Sequence, residues 1–140
     1  MTTTAKHGAQ IPARGKVIRN TGDSVVLAPT GTNYELHLRV PSDRYDGPVG
    51  TPIECAIRVQ ARKVYTVASG GNFIQPIFGP PRILQGRVLA IEDGRIVVHA
   101  GVPIVVDLPA DPHAIDLNRG PITVGSMVNV VALPGAWVEF

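Results

Sequence analysis

The side chains best able to do chemistry are basic and concentrated in the first half of the chain. Arg58, Arg62 and Lys63 lie along and beyond one alternating apolar segment, and Lys16, Arg19, His37 and Arg39 lie on segments expected to neighbour it in a small β-barrel. Proteins hold single-stranded nucleic acid by combining positive charge along the backbone path with aromatic platforms on which bases stack. The charge is present, but the first half offers only Tyr34, Tyr45 and Tyr65 as platforms, and Tyr34 falls on the core side of its strand. Glu35 and Glu54 share the basic face, so the same residues also read as an ordinary solvated sheet surface laced with weak ion pairs. Residues 1–70 carry nine Lys or Arg against five acids, and residues 71–140 carry four against six, giving +4 and −2 within a net charge of +2. A polyanion would prefer the first half.

Catalytic and metal chemistry find little purchase. The four histidines, His7, His37, His99 and His113, are far apart with no i, i+4 pair, and no Cys–His spacing suits zinc. Asp107, Asp111, His113 and Asp116 form a small acidic group that could hold a cation, although turn and cap roles account for Asp111-Pro112 and Asp116 more simply. There is no Gly-rich phosphate loop, nucleophile elbow or paired-carboxylate motif. The expectation is a protein that is not an enzyme, with no cofactor and no metal.

The elements that must position the basic residues follow from composition. Hydrophobic residues make up 44% of the 140 and charged residues 17%, enough apolar side chain for a core. Fifteen Gly and 13 Pro leave helices of ordinary length almost nowhere to run uninterrupted, so the chain reads as all-β with little or no helix. The single cysteine, Cys55, cannot form an internal disulfide, and the first residues lack the apolar core of a secretory signal. No apolar run approaches the roughly 20 residues of a membrane-spanning helix. A cytoplasmic protein without membrane insertion is expected.

The series of segments occurs twice. Gly15-Lys-Val-Ile18, a turn at Asn20 to Asp23, the run Ser24–Leu27, a second turn and the strand Tyr34–Pro41 are matched by Gly86-Arg-Val-Leu89, the turn Glu92-Asp-Gly94, the run Arg95–Val98 and the strand Pro103–Pro109. Val49-Gly-Thr-Pro-Ile-Glu-Cys-Ala-Ile57 is matched by Val124-Gly-Ser-Met-Val-Asn-Val-Val-Ala132 in spacing and pattern. Any two Val-rich β segments share composition, but order and spacing agree here too. The period of about 70 residues is too long for a solenoid unit and suits a small barrel. Tyr34, Leu36, Leu38 and Val40 alternate with Glu35, His37 and Arg39, and Ile53, Cys55, Ile57 and Val59 alternate with Glu54, Ala56, Arg58 and Gln60, so each strand has a buried and a wetter face. Asp93-Gly94 between apolar runs is a strong signal for a two-residue hairpin. Each copy then reads as a three-stranded meander, a connection, a long fourth strand and a fifth near Val64–Val67 or Trp137–Phe140, closing around its own apolar centre.

Five strands as meander, crossover and hairpin is the plan of the oligonucleotide/oligosaccharide-binding (OB) barrel. With G-x-V-x at strand 1, Val40-Pro41 ending strand 3, a Val-Gly before strand 4 and Ile57-Arg58 near its end, the chain resembles a pair of the helix-poor OB relatives called TOBE or molybdate-binding (mop) domains. That resemblance implies binding of a small anion, or an accessory role in a transporter, with modules that pair between subunits. Gly8-Ala-Gln-Ile-Pro-Ala-Arg14 stands where that family has a Ser-Ala-Arg-Asn-like segment, and Gln60-Ala61 and Gly135-Ala136 stand where it has Ala-Ser. The expected division is a disordered tail at 1–13, a first OB-like barrel at 14–68, a partly packed linker at 69–85 and a second OB-like barrel at 86–140.

Phe73, Ile74, Ile77 and Phe78 make the linker more apolar than a solvated spacer. They are expected either to form an interface, between the barrels or with another subunit, or to tuck onto their own barrel. The functional expectation is a non-catalytic binding or assembly module that self-associates or meets a protein partner or small ligand. The alternative is single-stranded nucleic-acid binding through Lys16, Arg19, His37, Arg39, Arg58, Arg62 and Lys63.

Overall fold

The structure is a computed structural model and describes residues 11–140. Residues 1–10, which hold most of the expected tail and also His7, lie outside the described residues. Ala13 already opens the first strand and is buried.

The protein is all-β. In chain order the strands are β1 (Ala13–Asn20), β2 (Ser24–Pro29), β3 (Glu35–Arg39), β4 (Ile53–Val67), β5 (Phe73–Gln75), β6 (Phe78–Gly79), β7 (Ile83–Glu92), β8 (Arg95–His99), β9 (Pro103–Asp107), β10 (Ile115–Asp116), β11 (Met127–Ala132) and β12 (Trp137–Glu139). The one helical element among the described residues is a 3-10 turn at Pro112–Ala114. Asp93-Gly94 makes a tight two-residue β7–β8 hairpin with Glu92 opposite Arg95, but only Gly94, at φ +78°, is left-handed, so the turn is not the type I′ that this dipeptide favours.

These strands form one mixed sheet in the order β1-β2-β3-β12-β4-β11-β7-β8-β9, and the further pairings β1–β4 and β4–β9 bend that order into two closed circuits. The first contains β1, β2, β3, β12 and the start of β4. The second contains β7, β8, β9, β11 and the rest of β4. The circuits therefore do not follow the two halves of the chain: the strand at Val64–Val67 pairs with β11, and the C-terminal strand β12 fills the gap between β3 and β4. Each half lends its last strand to the other.

A bulge makes the exchange possible. Along β4, Cys55, Ile57, Val59 and Ala61 are buried, and then Arg62 and Lys63 are both exposed before Val64 and Thr66 are buried. Opposite them the register jumps, Val131 facing Lys63 and Ala132 facing Ala61, so Arg62 is the extra residue. One inserted residue shifts the side-chain parity, and the strand turns its other set of side chains inward as it passes from one circuit to the next.

The internal correspondence extends to single hydrogen bonds. Gly50 N–H donates to Val17 O and Gly125 N–H to Val88 O, both at 2.8 Å; Val40 N–H donates to Asp23 O and Leu108 N–H to Gly94 O, both at 2.9 Å. Ile18 and Leu89 are the extra residues of matching bulges in β1 and β7. A Cβ on Gly15 would lie 2.6 Å from Ala28 O, and one on Gly86 would overlap His99 O, so both first strands need glycine where the second strand crosses closest.

The buried side chains join into one cluster running from Val17, Leu27 and Leu38 through Ile57 and Val64 to Val88, Ile104 and Val130, where two separate centres were expected. The shared β4 is the physical reason, because its inward side chains belong to both circuits. Full burial of a side chain such as Ile57 or Leu84 contributes about 1.5–3 kcal/mol. The expected linker also departs from expectation: β5 pairs antiparallel with β7 and β6 parallel with β3, so residues 73–79 tie the circuits together. No helix among the described residues is long and apolar enough to cross a membrane.

Candidate functional site

The seven basic residues do not form one groove. Arg58, expected to contact a ligand, is consumed internally: its side chain is 12% exposed, with Nη2 3.1 Å from Asp107 Oδ1 and Nη1 3.2 Å from Glu139 Oε1. Its guanidinium also lies 5.4 Å from the centre of the Trp137 ring. Arg58 sits in register between Trp137 of β12 and Val105 of β9, at the seam of the two circuits, which is why acids from both reach it. Arg62 and Lys63 fall at the β4 bulge. Lys16, Arg19, His37 and Arg39 stand exposed on the outer face of β1–β3, and none of the four side chains has a partner among the described residues. Of the expected neutralising acids, Glu54 pairs with Arg14 at 2.7 Å instead.

The Arg58 network prepares a binding surface on β12. Trp137 Nε1–H donates to Glu139 Oε2 at 3.3 Å, while the other oxygen of that carboxylate accepts from Arg58. The indole is thus held by cation–π contact and by its ring N–H. Directly across the strand pair stands Arg39, in register with Trp137. Arg39, Pro41, Gly135, Trp137 and Glu139 line an open groove of about 380 Å³. Gly135 has φ +99° and open space where a Cβ would stand, so glycine both permits the turn into β12 and leaves the groove wide. A braced aromatic face beside an unpaired guanidinium can stack a planar ring and pair with its negative charge. The importance of Trp137 was invisible in the sequence, where nothing placed it beside Arg39.

The same positions in the second circuit are closed. Asp107 stands where Arg39 does, opposite Gln60 of β4 and Arg95 of β8. Asp107 Oδ1 meets Arg58 and, at 3.5 Å, Arg95 Nε, and Gln60 Nε2 donates to Asp107 O at 3.3 Å. The Asp107 carboxylate is thus taken up by two arginines, although Arg58 Nε is buried without a hydrogen-bond partner.

Asp111 caps the 3-10 turn, accepting from His113 N–H at 2.9 Å, and Asp116 accepts from Asn118 N–H at 2.9 Å. With Asp107 in ion pairs, these acids and His113 do not converge, and no group of three His, Cys, Asp or Glu among the described residues could hold a metal ion. Ile74 is 1% exposed in the chain's own core and so is unavailable to a partner, because β5 lies flat on β7 and points it inward. Phe73 is half-buried, Ile77 is 42% exposed and Phe78 is 64% exposed. Tyr34 packs against the core and ties the circuits, its hydroxyl donating to Ala100 O at 3.4 Å and accepting from Ile74 N–H at 3.1 Å. Tyr45 is buried, its hydroxyl donating to Pro48 O at 2.6 Å, so it is no stacking platform. Burial pushes the Cys55 thiol up to about 11 and, with the nearby Cys55, raises the Tyr45 phenol. Comparison with protein-family models, curated proteins and solved structures finds no match to this chain.

Proposed function

We propose that the protein is a non-catalytic binding module built from two OB-like units that exchange their fifth strands, and that it takes a small planar anion in the groove between β3 and β12. The observation that carries this reading is Trp137, braced by Arg58 and Glu139 and open beside the unpaired Arg39. The two five-membered strand circuits and their matching bulges support the OB-like description. A role in assembly rests on the exposed Ile77 and Phe78; there, Phe73→Ser with Phe78→Ser should lower the mass measured by light scattering, and an unchanged mass removes it.

Trp137 is the only tryptophan of the chain, so its fluorescence reports this groove directly. Titration with adenosine 5′-monophosphate should quench it saturably, and Arg39→Ala should weaken the apparent affinity at least tenfold. A flat titration with both that nucleotide and phenyl phosphate would sink the reading.

Single-stranded nucleic acid is the second reading, favoured by the exposure of Lys16, Arg19 and His37 on the same outer face as Arg39. It requires an oligonucleotide to bind more tightly than the mononucleotide, with affinity that falls steeply with salt.

A further inference from the structure

A second groove, independent of Trp137, opens where β4, β11 and β7 run side by side. Arg62, Arg82, Pro76, Val131, Leu133 and Pro134 are among the residues that line it, with a volume of about 520 Å³. Two guanidiniums flank the end of β11. Arg62 is the bulged residue that the parity change in β4 sends outward, and Arg82 lies just before β7, its carbonyl accepting from Ala132 N–H at 2.8 Å. Both side chains are exposed and neither has a partner among the described residues. No acidic residue lines the groove; the rest of its wall is the amide of Gln75 and apolar surface.

The matching place in the first circuit has the opposite character. There Pro12, Glu54, Cys55, Ala56, Glu139 and Phe140 line a smaller groove of about 300 Å³. Its two carboxylates are already engaged, Glu54 by Arg14 and Glu139 by Arg58. Positive charge without internal neutralisation is therefore particular to the second groove. Arginine presents a planar fork that fits carboxylate and phosphate oxygens, and apolar walls favour a ligand with a hydrocarbon body attached to that anionic head.

We propose that this groove is a binding site for a small amphipathic anion, a carboxylate or phosphate monoester held by Arg62 and Arg82 with its apolar body along Val131, Leu133, Pro134 and Pro76. The site is distinct from the Trp137 groove, and its test leaves that reading untouched. The probes are octanoate, octyl phosphate and inorganic phosphate, followed by calorimetry and by amide shifts in heteronuclear spectra. Octanoate and octyl phosphate should bind with shifts centred on residues 82–83 and 131–134, while inorganic phosphate binds at least tenfold more weakly. Arg62→Ala and Arg82→Ala should each weaken octanoate several-fold, and the double variant at least tenfold, whereas Arg39→Ala leaves it unchanged. Leu133→Asn, a neutral polar substitution of similar size at a partly exposed position, should weaken octanoate binding several-fold while leaving both guanidiniums unpaired. Equal binding of inorganic and octyl phosphate, shifts centred on Trp137, or an unaffected Arg62→Ala/Arg82→Ala variant would each overturn the proposal.

Discussion

The outer faces of the two circuits differ where the register makes them equivalent. In the first, Arg39 faces Ser24 on one side and Trp137 on the other, with an open groove between. In the second, Asp107 faces Arg95 and Gln60, and the ion pairs to Arg58 and Arg95 fill the position. The adjoining outward residues follow the same division: His37 is exposed on β3, but Val105, its counterpart on β9, is 2% exposed. One backbone plan thus carries an open polar face and a self-satisfied one. The difference teaches that charge reversal at a single strand position, arginine for aspartate, decides whether the seam arginine is shared inward or a guanidinium is left for a ligand.

Removing Arg58 should break the comparison most severely, because both faces depend on it. Arg58→Ala leaves Asp107 and Glu139 without their shared partner and Trp137 without its brace. Because Asp107 keeps Arg95 at 3.5 Å and Glu139 is 47% exposed, the loss falls at the low end of the range for breaking a buried pair, about 3 kcal/mol. Urea denaturation followed by circular dichroism should show a loss of that order, and Trp137 emission should shift toward that of a solvated indole. A loss below about 1 kcal/mol would mean the network is ornamental.

The cores differ too, and alkaline pH exposes it. Cys55 of β4 faces Ala13 in the first circuit, where Val130 faces Leu84 in the second. Burial pushes the folded thiol up to about 11 from its ordinary value of 9.0. Between those values the unfolded chain has lost a proton that the folded chain keeps, so stability falls as pH rises through that window and is flat below it. Two units correspond to a loss on the order of 2–3 kcal/mol. Cys55→Val, which copies the second circuit, should abolish this part of the slope in denaturation curves measured from pH 8 to 11; an unchanged slope would place the titration elsewhere.

The smallest expected change in stability comes from writing the closed face onto the open one. Ser24→Arg with Arg39→Asp copies the Arg95–Asp107 pair, and an exposed pair of this kind contributes about 0–1 kcal/mol. The melting temperature should barely move, while nucleotide quenching of Trp137 disappears. Quenching that survives would show that Arg39 is not what selects the ligand.

Much of the strand pattern was legible because it is local. The alternation over Glu35–Arg39 and Ile53–Gln60, the Asp93-Gly94 turn and the matched Gly15 and Gly86 all reappear as read. The functional surface was less legible. Arg58 looked like one more cation on a wet face, and nothing nearby in sequence announces acids from β9 and β12. Trp137, Glu139 and Arg82 were missed for the same reason: a three-residue strand such as Trp137–Glu139 is too short to show its faces by alternation.

Residue order by itself determined an all-β chain, the inward and outward sets within each strand, and a plan written twice, since steric preferences of neighbouring residues set these. Only the tertiary structure decided which strand lies beside which. Closing each circuit required a fifth strand, and the bulge at Arg62 carried β4 across while β12 returned to fill the first gap. That exchange set Trp137 beside Arg39 and Asp107 against Arg58, because contacts between distant segments depend on where the chain closes.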